Sequence, residues 1–345
     1  MRSLTCALAA LCMTLPQLAE AADATPAYRL AKTIPLGAPD RWDYLTYDSG
    51  SGRLYIAHGD RVSVIDGKNG NRIGDVEGLP GGTHGIAIVS AVGRGYTDDG
   101  KAGIAASFDL KTLKIVSRIK AEPDADGIVY DKTSGHVFVV DGDSAKLTVI
   151  DPKSDSAIAT VDVGGGLESA VSGDNGKLYV DGAEKQEMIR VDTASNKVDA
   201  RWPIPACTSP HGLAIDPASH RLFASCENKV LLVLDAGSGK VLASLPIGAG
   251  TDAAAFDPAR KRAFSSNRDG ILSVIVEKSA DAFELLAQVP TVFGARTMAV
   301  DPVSGRVFLV TADFTVNPAA AANDMRHHFV AVPGSAKLLF FDPAP

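Results

Sequence analysis

The chain lacks most of the short motifs that announce a reaction. Its 345 residues contain no C-x-x-C-H for covalent haem, no G-x-S-x-G nucleophile elbow and no G-x-x-x-x-G-K-[ST] phosphate loop. Cysteine is scarce: Cys6, Cys12, Cys207 and Cys226 are the whole set. No run of lysine and arginine stands out, and the formal net charge is −7. Such a balance gives no basic field for nucleic-acid phosphates, so a nucleic-acid partner is not expected. Long apolar runs are absent too. The one concentrated apolar stretch, residues 4–15, is too short to span a bilayer. No amphipathic helical periodicity of useful length appears.

That apolar stretch reads instead as an export leader. Arg2 precedes it, and Ala19-Glu20-Ala21 follows as an A-x-A cleavage site. The expectation is a signal peptide over 1–21 and a mature periplasmic or secreted protein over 22–345. Cys6 and Cys12 leave with the leader. Cys207 and Cys226 remain, and an exported protein with two cysteines invites a disulfide.

The mature sequence is repetitive. A short β-type segment recurs seven times: YLTYD (44–48), GIAIV (85–89), GIVYD (127–131), SAVSG (169–173), GLAID (212–216), AAAFD (253–257) and TMAVD (297–301). The period is about 42 residues. Each copy is followed by a turn and three further β-rich segments, as in RLYIAH, RVSVID and NRIGDVEG of the first unit. Glycine, proline, aspartate and asparagine punctuate them, the residues that turns require. Four-stranded units repeated radially predict an all-β fold, a seven-bladed β-propeller. The seventh unit ends without its fourth segment. YRLAKTIPLG (28–37) resembles KVLASLPIG (240–248), so the N-terminal strand is expected to complete the last blade and close the ring. Pairing of the first two strands also supports the disulfide, because it sets Cys226 roughly opposite His211, with Cys207 four residues upstream.

The units GRLYIAHGDRVSVIDGKNGNRI (52–73) and HRLFASCENKVLLVLDAGSGKVLASLPIG (220–248) resemble the YVTN-repeat, YncE-like β-propeller family. The resemblance covers nearly all of residues 28–345. It implies a bacterial envelope protein. A nucleic-acid role has been suggested for such proteins, and the acidic charge opposes it here. Quinone-dependent propellers share the architecture, but Trp42 and Trp202 alone cannot supply their tryptophan-rich repeat.

The register of the repeat exposes a ring. The residue opening the first strand of each unit is, in order, Asp43, His84, Asp126, Glu168, His211, Asp252 and Arg296. These should meet at one mouth of the central channel. Arg296 lies between Asp252 and Asp43, so that arc can neutralise itself. The opposite arc, His84-Asp126-Glu168-His211, is a candidate site for a small ligand or a divalent metal ion such as calcium, zinc or copper, with His84, Glu168 and His211 as the metal set. The same ring also fits a water-filled mouth whose acids cap backbone N–H groups. Seven residues end the second strands on that face: His58, Asp98, Asp141, Asp181, Glu227, Asn267 and Asp313. Loop solvation accounts for most of them, with His58 and Glu227 the candidates for contact with the site. Residues 314–334 are an insertion in blade seven that reads as a loop rather than strand, and it is placed to fold over the mouth, bringing His327 and His328. Two functions follow. One is a monomeric exported propeller that binds a small molecule, a metal ion or an envelope protein at the mouth. The alternative is a metal-dependent, lactonase-like hydrolase or lyase, with Glu168 or Asp126 as general base.

Overall fold

The computed structural model describes residues 27–319 and 328–344. The expected leader and His327 lie outside the described residues.

Seven four-stranded antiparallel sheets form the ring. Blade one runs Leu45–Asp48, Arg53–His58, Arg61–Asp66 and Arg72–Val76, from channel to rim. Blades two to six repeat that order. In blade seven the strands Met298–Val300, Val307–Thr311 and Lys337–Pro343 are completed by Tyr28–Pro35. That N-terminal strand pairs antiparallel with Lys337–Pro343, from Tyr28 opposite Pro343 to Pro35 opposite Lys337. The ring therefore closes as the sequence predicts.

The turns are held by the aspartates that end the strands. Asp66 Oδ1 accepts the N–H groups of Lys68 and Asn69, and Asp235 Oδ1 those of Gly237 and Ser238. This is why the V-x-V-I-D pattern recurs: a carboxylate two residues back closes the turn locally.

Among the described residues the core is divided: seven apolar clusters sit between successive blades. Phe138 and Val140 of blade three pack with Leu178 and Val180 of blade four. Leu213 and Leu232 of blade five pack with Tyr179 and Met188 of blade four. The last cluster joins Phe308 and Phe340 of blade seven to Leu54 and Ile56 of blade one. Each blade is thus half of two cores, as stacked repeats require.

Near the axis the blades crowd, and small residues become obligatory. A Cβ on Gly85 would lie 2.4 Å from both Asp126 O and Ile128 N. Those are backbone atoms of the next blade and cannot swing away. Gly127, the equivalent residue of blade three, has its nearest neighbours at 3.4 Å. Gly85→Ala is therefore expected to cost about 1–3 kcal/mol through overpacking, and Gly127→Ala almost nothing. Urea melts of the two variants check this; equal costs would remove crowding as the reason for the glycine.

The insertion corrects the sequence expectation. Phe314–Val316 and Phe329–Ala331 are strands, paired as a two-stranded ribbon with Val316 opposite Phe329. Alternating aromatic and β-branched residues at both ends outweigh the proline and alanine between them. Phe293 ties the ribbon down, with its ring 5.1 Å from those of both Phe314 and Phe329.

Candidate functional site at the channel mouth

A local irregularity aims the ring residues. In blades three, five and six the first strand is bulged where Asp126, His211 and Asp252 stand, between Ala125 and Ile128, Pro210 and Gly212, and Thr251 and Ala253. A bulge takes one residue out of the ladder and redirects its side chain. All seven ring residues are half-buried, as groups lining a channel should be.

The Arg296 arc pairs as the sequence predicts: Arg296 Nε lies 2.8 Å from Asp252 Oδ2. The two histidines then diverge. His211 Nδ1 lies 3.0 Å from the carbonyl oxygen of Ser209, so Nδ1 carries the hydrogen and donates it. In the neutral ring that leaves a lone pair on Nε2. Nε2 lies 3.9 Å from both Glu168 Oε2 and Glu227 Oε1. His84 is committed elsewhere. Its Nδ1 lies 2.6 Å from Asp98 Oδ2, and Arg41 Nη2 lies 3.4 Å from its Nε2. Burial opposes a charge on this ring. The Asp98 hydrogen bond, with the charges of Asp98, Asp126 and Asp43, outweighs burial and raises its pKa to about 9. With Nδ1 bonded to Asp98 and Nε2 facing the Arg41 guanidinium, the ring turns no free lone pair toward a metal.

Glu168, His211 and Asp252 each offer one donor atom within 4.8 Å of the others, a metal-sized grouping among the described residues. The structure thus brings Glu168 and His211 together, adds Asp252, and leaves His84 out.

Carboxylates outnumber cations here. Burial, then the charges of Asp252, Asp43 and Asp181, pushes Glu168 up to about 9. Burial and Asp252 raise Asp43 to about 7. Asp126 is raised by burial, Asp43 and Glu168, and its buried Oδ1 has no hydrogen-bond partner. Tyr44, among these acids, is pushed upward by burial and by their charges.

A cavity of about 850 Å³ opens over this set. Glu168, His211, Asp252 and Arg296 line it from the channel, Glu227 and Arg268 from the second-strand ends, and Phe293 and Phe329 from above. The inserted ribbon therefore does reach the mouth, through Phe329. His328 packs on Phe329, with ring centres 4.8 Å apart.

The second-strand ends correct another expectation. His58, Asp98, Asp141, Asp181 and Asn267 are buried, not solvated. Hydroxyls of neighbouring strands hold several of them: Ser63 beside His58, Thr148 on Asp141, Ser169 on Asp181 and Ser273 beside Asn267. His58 is accordingly no part of the cavity, and burial lowers its pKa. Asp313 stays exposed and pairs with Lys337. Asp98 holds ring residue His84, and Glu227 is the one of the seven that lines the large cavity.

Cys207 and Cys226 form a disulfide with Cα atoms 5.2 Å apart. It closes the loop that carries Ser209 into His211, and Glu227 follows it directly. The N–H of Glu227 donates to Thr208 O at 2.9 Å, fastening both sides of that rim.

Sequence reasoning missed Arg41, Tyr44, Arg268, Phe293 and Phe329. Arg41 and Tyr44 flank ring position Asp43, and Arg268 follows Asn267. Extending the same register by one or two residues would have found these three.

No family model matches the chain. Two curated proteins do. The uncharacterised protein YncE of Salmonella typhimurium is 31% identical over 150 residues, covering 41% of this chain and 39% of that protein. YncE of Salmonella typhi is 30% identical over the same length. The chain spans about two fifths of the length of these relatives. Among solved structures, one titled for U3-55K superposes with a TM-score of 0.74 at 8% identity, covering 92% of this chain and 98% of that one. A chain of Kuenenia stuttgartiensis hydrazine synthase gives 0.68 at 16% identity, covering 85% and 96%. These two show the fold alone. Fold and mouth together define a class, the seven-bladed propeller with a polar channel opening. Within that class the chain is similar to the YncE proteins over the matched 150 residues.

Proposed function

We propose that this is an exported propeller that binds a divalent cation at its channel mouth through Glu168, His211 and Asp252. One observation carries the reading: three consecutive blades each place a donor atom within 4.8 Å of the other two. One imidazole with two carboxylates suits zinc or copper better than calcium, which prefers oxygen throughout. A cation there would offset the burial and the neighbouring carboxylates that together raise Glu168 and Asp43. Ser209, by fixing the tautomer of His211, acts as the outer partner that a ligating histidine needs. Export is part of the reading, supported by the leader pattern and by a disulfide suited to an oxidising compartment. Among the described residues no helix is long and apolar enough to cross a membrane.

Elemental analysis of tag-free protein, purified without chelator, should find one divalent ion per chain. Zinc added to stripped protein should raise the melting temperature saturably. The double variant Glu168→Ala, His211→Ala should lose at least a hundredfold in zinc affinity. Stripped wild-type protein that zinc does not stabilise would sink the reading, as would a double variant that binds equally well.

A second reading uses the same residues for metal-dependent hydrolysis or lyase chemistry. The buried, unpartnered Oδ1 of Asp126 favours it, since a general base must keep an atom uncommitted.

A further inference from the structure

Beside the large cavity lies a smaller one of about 150 Å³. Its walls include three guanidinium groups, Arg41, Arg268 and Arg296, with the rings of Trp42 and Phe314. The two rings pack edge to face, with centroids 6.3 Å apart. Asp40, which also lines it, is engaged by backbone: its carboxylate accepts from Gly334 N at 2.5 Å and Ala336 N at 2.7 Å. Arg296 is paired with Asp252 on its cavity side. Arg268 is propped over the face of Phe293, 5.8 Å from its centroid. Arg41 is exposed, alongside Gly82, where a Cβ would come within 3.6 Å of its guanidinium.

Guanidinium groups only donate hydrogen bonds, and they keep their charge at any working pH. Three of them around one small space call for a ligand that only accepts and carries negative charge. Their planar forks match the two oxygens of a carboxylate or a phosphate. Arg268 and Arg296 line both cavities. A molecule seated on them can therefore continue past Phe293 and Phe329 toward Glu168 and His211.

We propose that Arg41, Arg268 and Arg296 bind the oxyanion head group, carboxylate or phosphate, of a small organic ligand whose body enters the larger cavity. This rests on reading the mouth as a ligand site, and it does not depend on the metal.

The test is calorimetric titration in chelator, at fixed ionic strength, with succinate and inorganic phosphate as probes and chloride as the control. Wild-type protein should bind at least one probe saturably. Succinate alone would assign a carboxylate ligand, and phosphate alone a phosphorylated one. The double variant Arg41→Ala, Arg268→Ala should bind at least tenfold more weakly, and Arg72→Ala, on the outer strand of blade one, should bind as wild type does. Should the double variant fail to fold, Arg41→Ala alone decides, because that side chain is exposed. Wild-type protein that responds to neither probe overturns the proposal. So does a folded variant that responds undiminished. Probe binding without zinc binding would remove the metal reading and leave this one standing; zinc binding without probe binding would do the reverse.

Discussion

A chain that begins at Ala38 will not fold cooperatively. The strand Tyr28–Pro35 is the outer edge of blade seven, yet it touches three blades. Within its own it pairs along Lys337–Pro343. Toward blade six, Tyr28 is buried edge-on against Phe264, 5.5 Å between centroids, with Arg262 over its face. Toward blade one, the side chain of Ile34 lies against Gly70. Removing the strand breaks the ladder and opens two of the seven interblade cores. It also leaves Lys337–Pro343 as an unpaired edge, which invites association with other chains. A large loss is expected because neighbouring blades share their cores, so each opened interface weakens the next. Calorimetry should show no sharp transition, and light scattering should show association. A synthetic peptide of residues 27–37 should restore the transition. A truncated chain that melts within a few degrees of the full one would show that the ring does not need its clasp.

Asp141→Asn should stabilise the protein more at pH 8 than at pH 5. Asp141 is fully buried, and its Oδ1 has no partner. Burial is the main cause that raises its pKa from 3.8 to about 7, with the charge of Glu122 adding and the Thr148 hydrogen bond opposing. The folded chain thus keeps a proton that the unfolded chain gives up near pH 4. Between these values folding must take up a proton, so stability falls as pH rises from about 4 to 7. The gap of some three pKa units corresponds to at most about 4 kcal/mol. Asparagine has no charge to bury and removes that slope. The measurement is the difference between the two proteins' unfolding free energies, taken by urea at pH 5 and at pH 8 with chelator present. Comparing the two pH values cancels any fixed cost of the new amide. An identical difference at both would mean that Asp141 is ionised in the fold.

The sequence made the ring legible because a repeat fixes register. Once seven copies align, the identity of Asp43 through Arg296 at one level follows, and so do the N-terminal clasp and the Cys207–Cys226 bridge. What it could not show is which partner each ring residue takes. His84 and His211 occupy equivalent positions, yet Asp98 lies one strand away from the first and a backbone carbonyl accepts from the second. Position alone cannot distinguish them, because tautomer and charge depend on which neighbour each ring nitrogen meets. The burial of the aspartates is hidden from the sequence for a related reason. Asp98, Asp141 and Asp181 look like turn residues in sequence, and only the fold shows hydroxyls or an imidazole waiting for them. Arg41 and Arg268 stand within two residues of the repeat positions Asp43 and Asn267, but only the fold shows that they converge on one pocket.

The bulges under Asp126, His211 and Asp252 separate two kinds of information that a β-strand ordinarily carries together. A residue lifted out of the ladder neither sets the strand's register nor packs between blades. The chemistry of the opening can therefore be rewritten one position at a time while the wheel beneath it turns out unchanged. One scaffold can in this way present many different mouths.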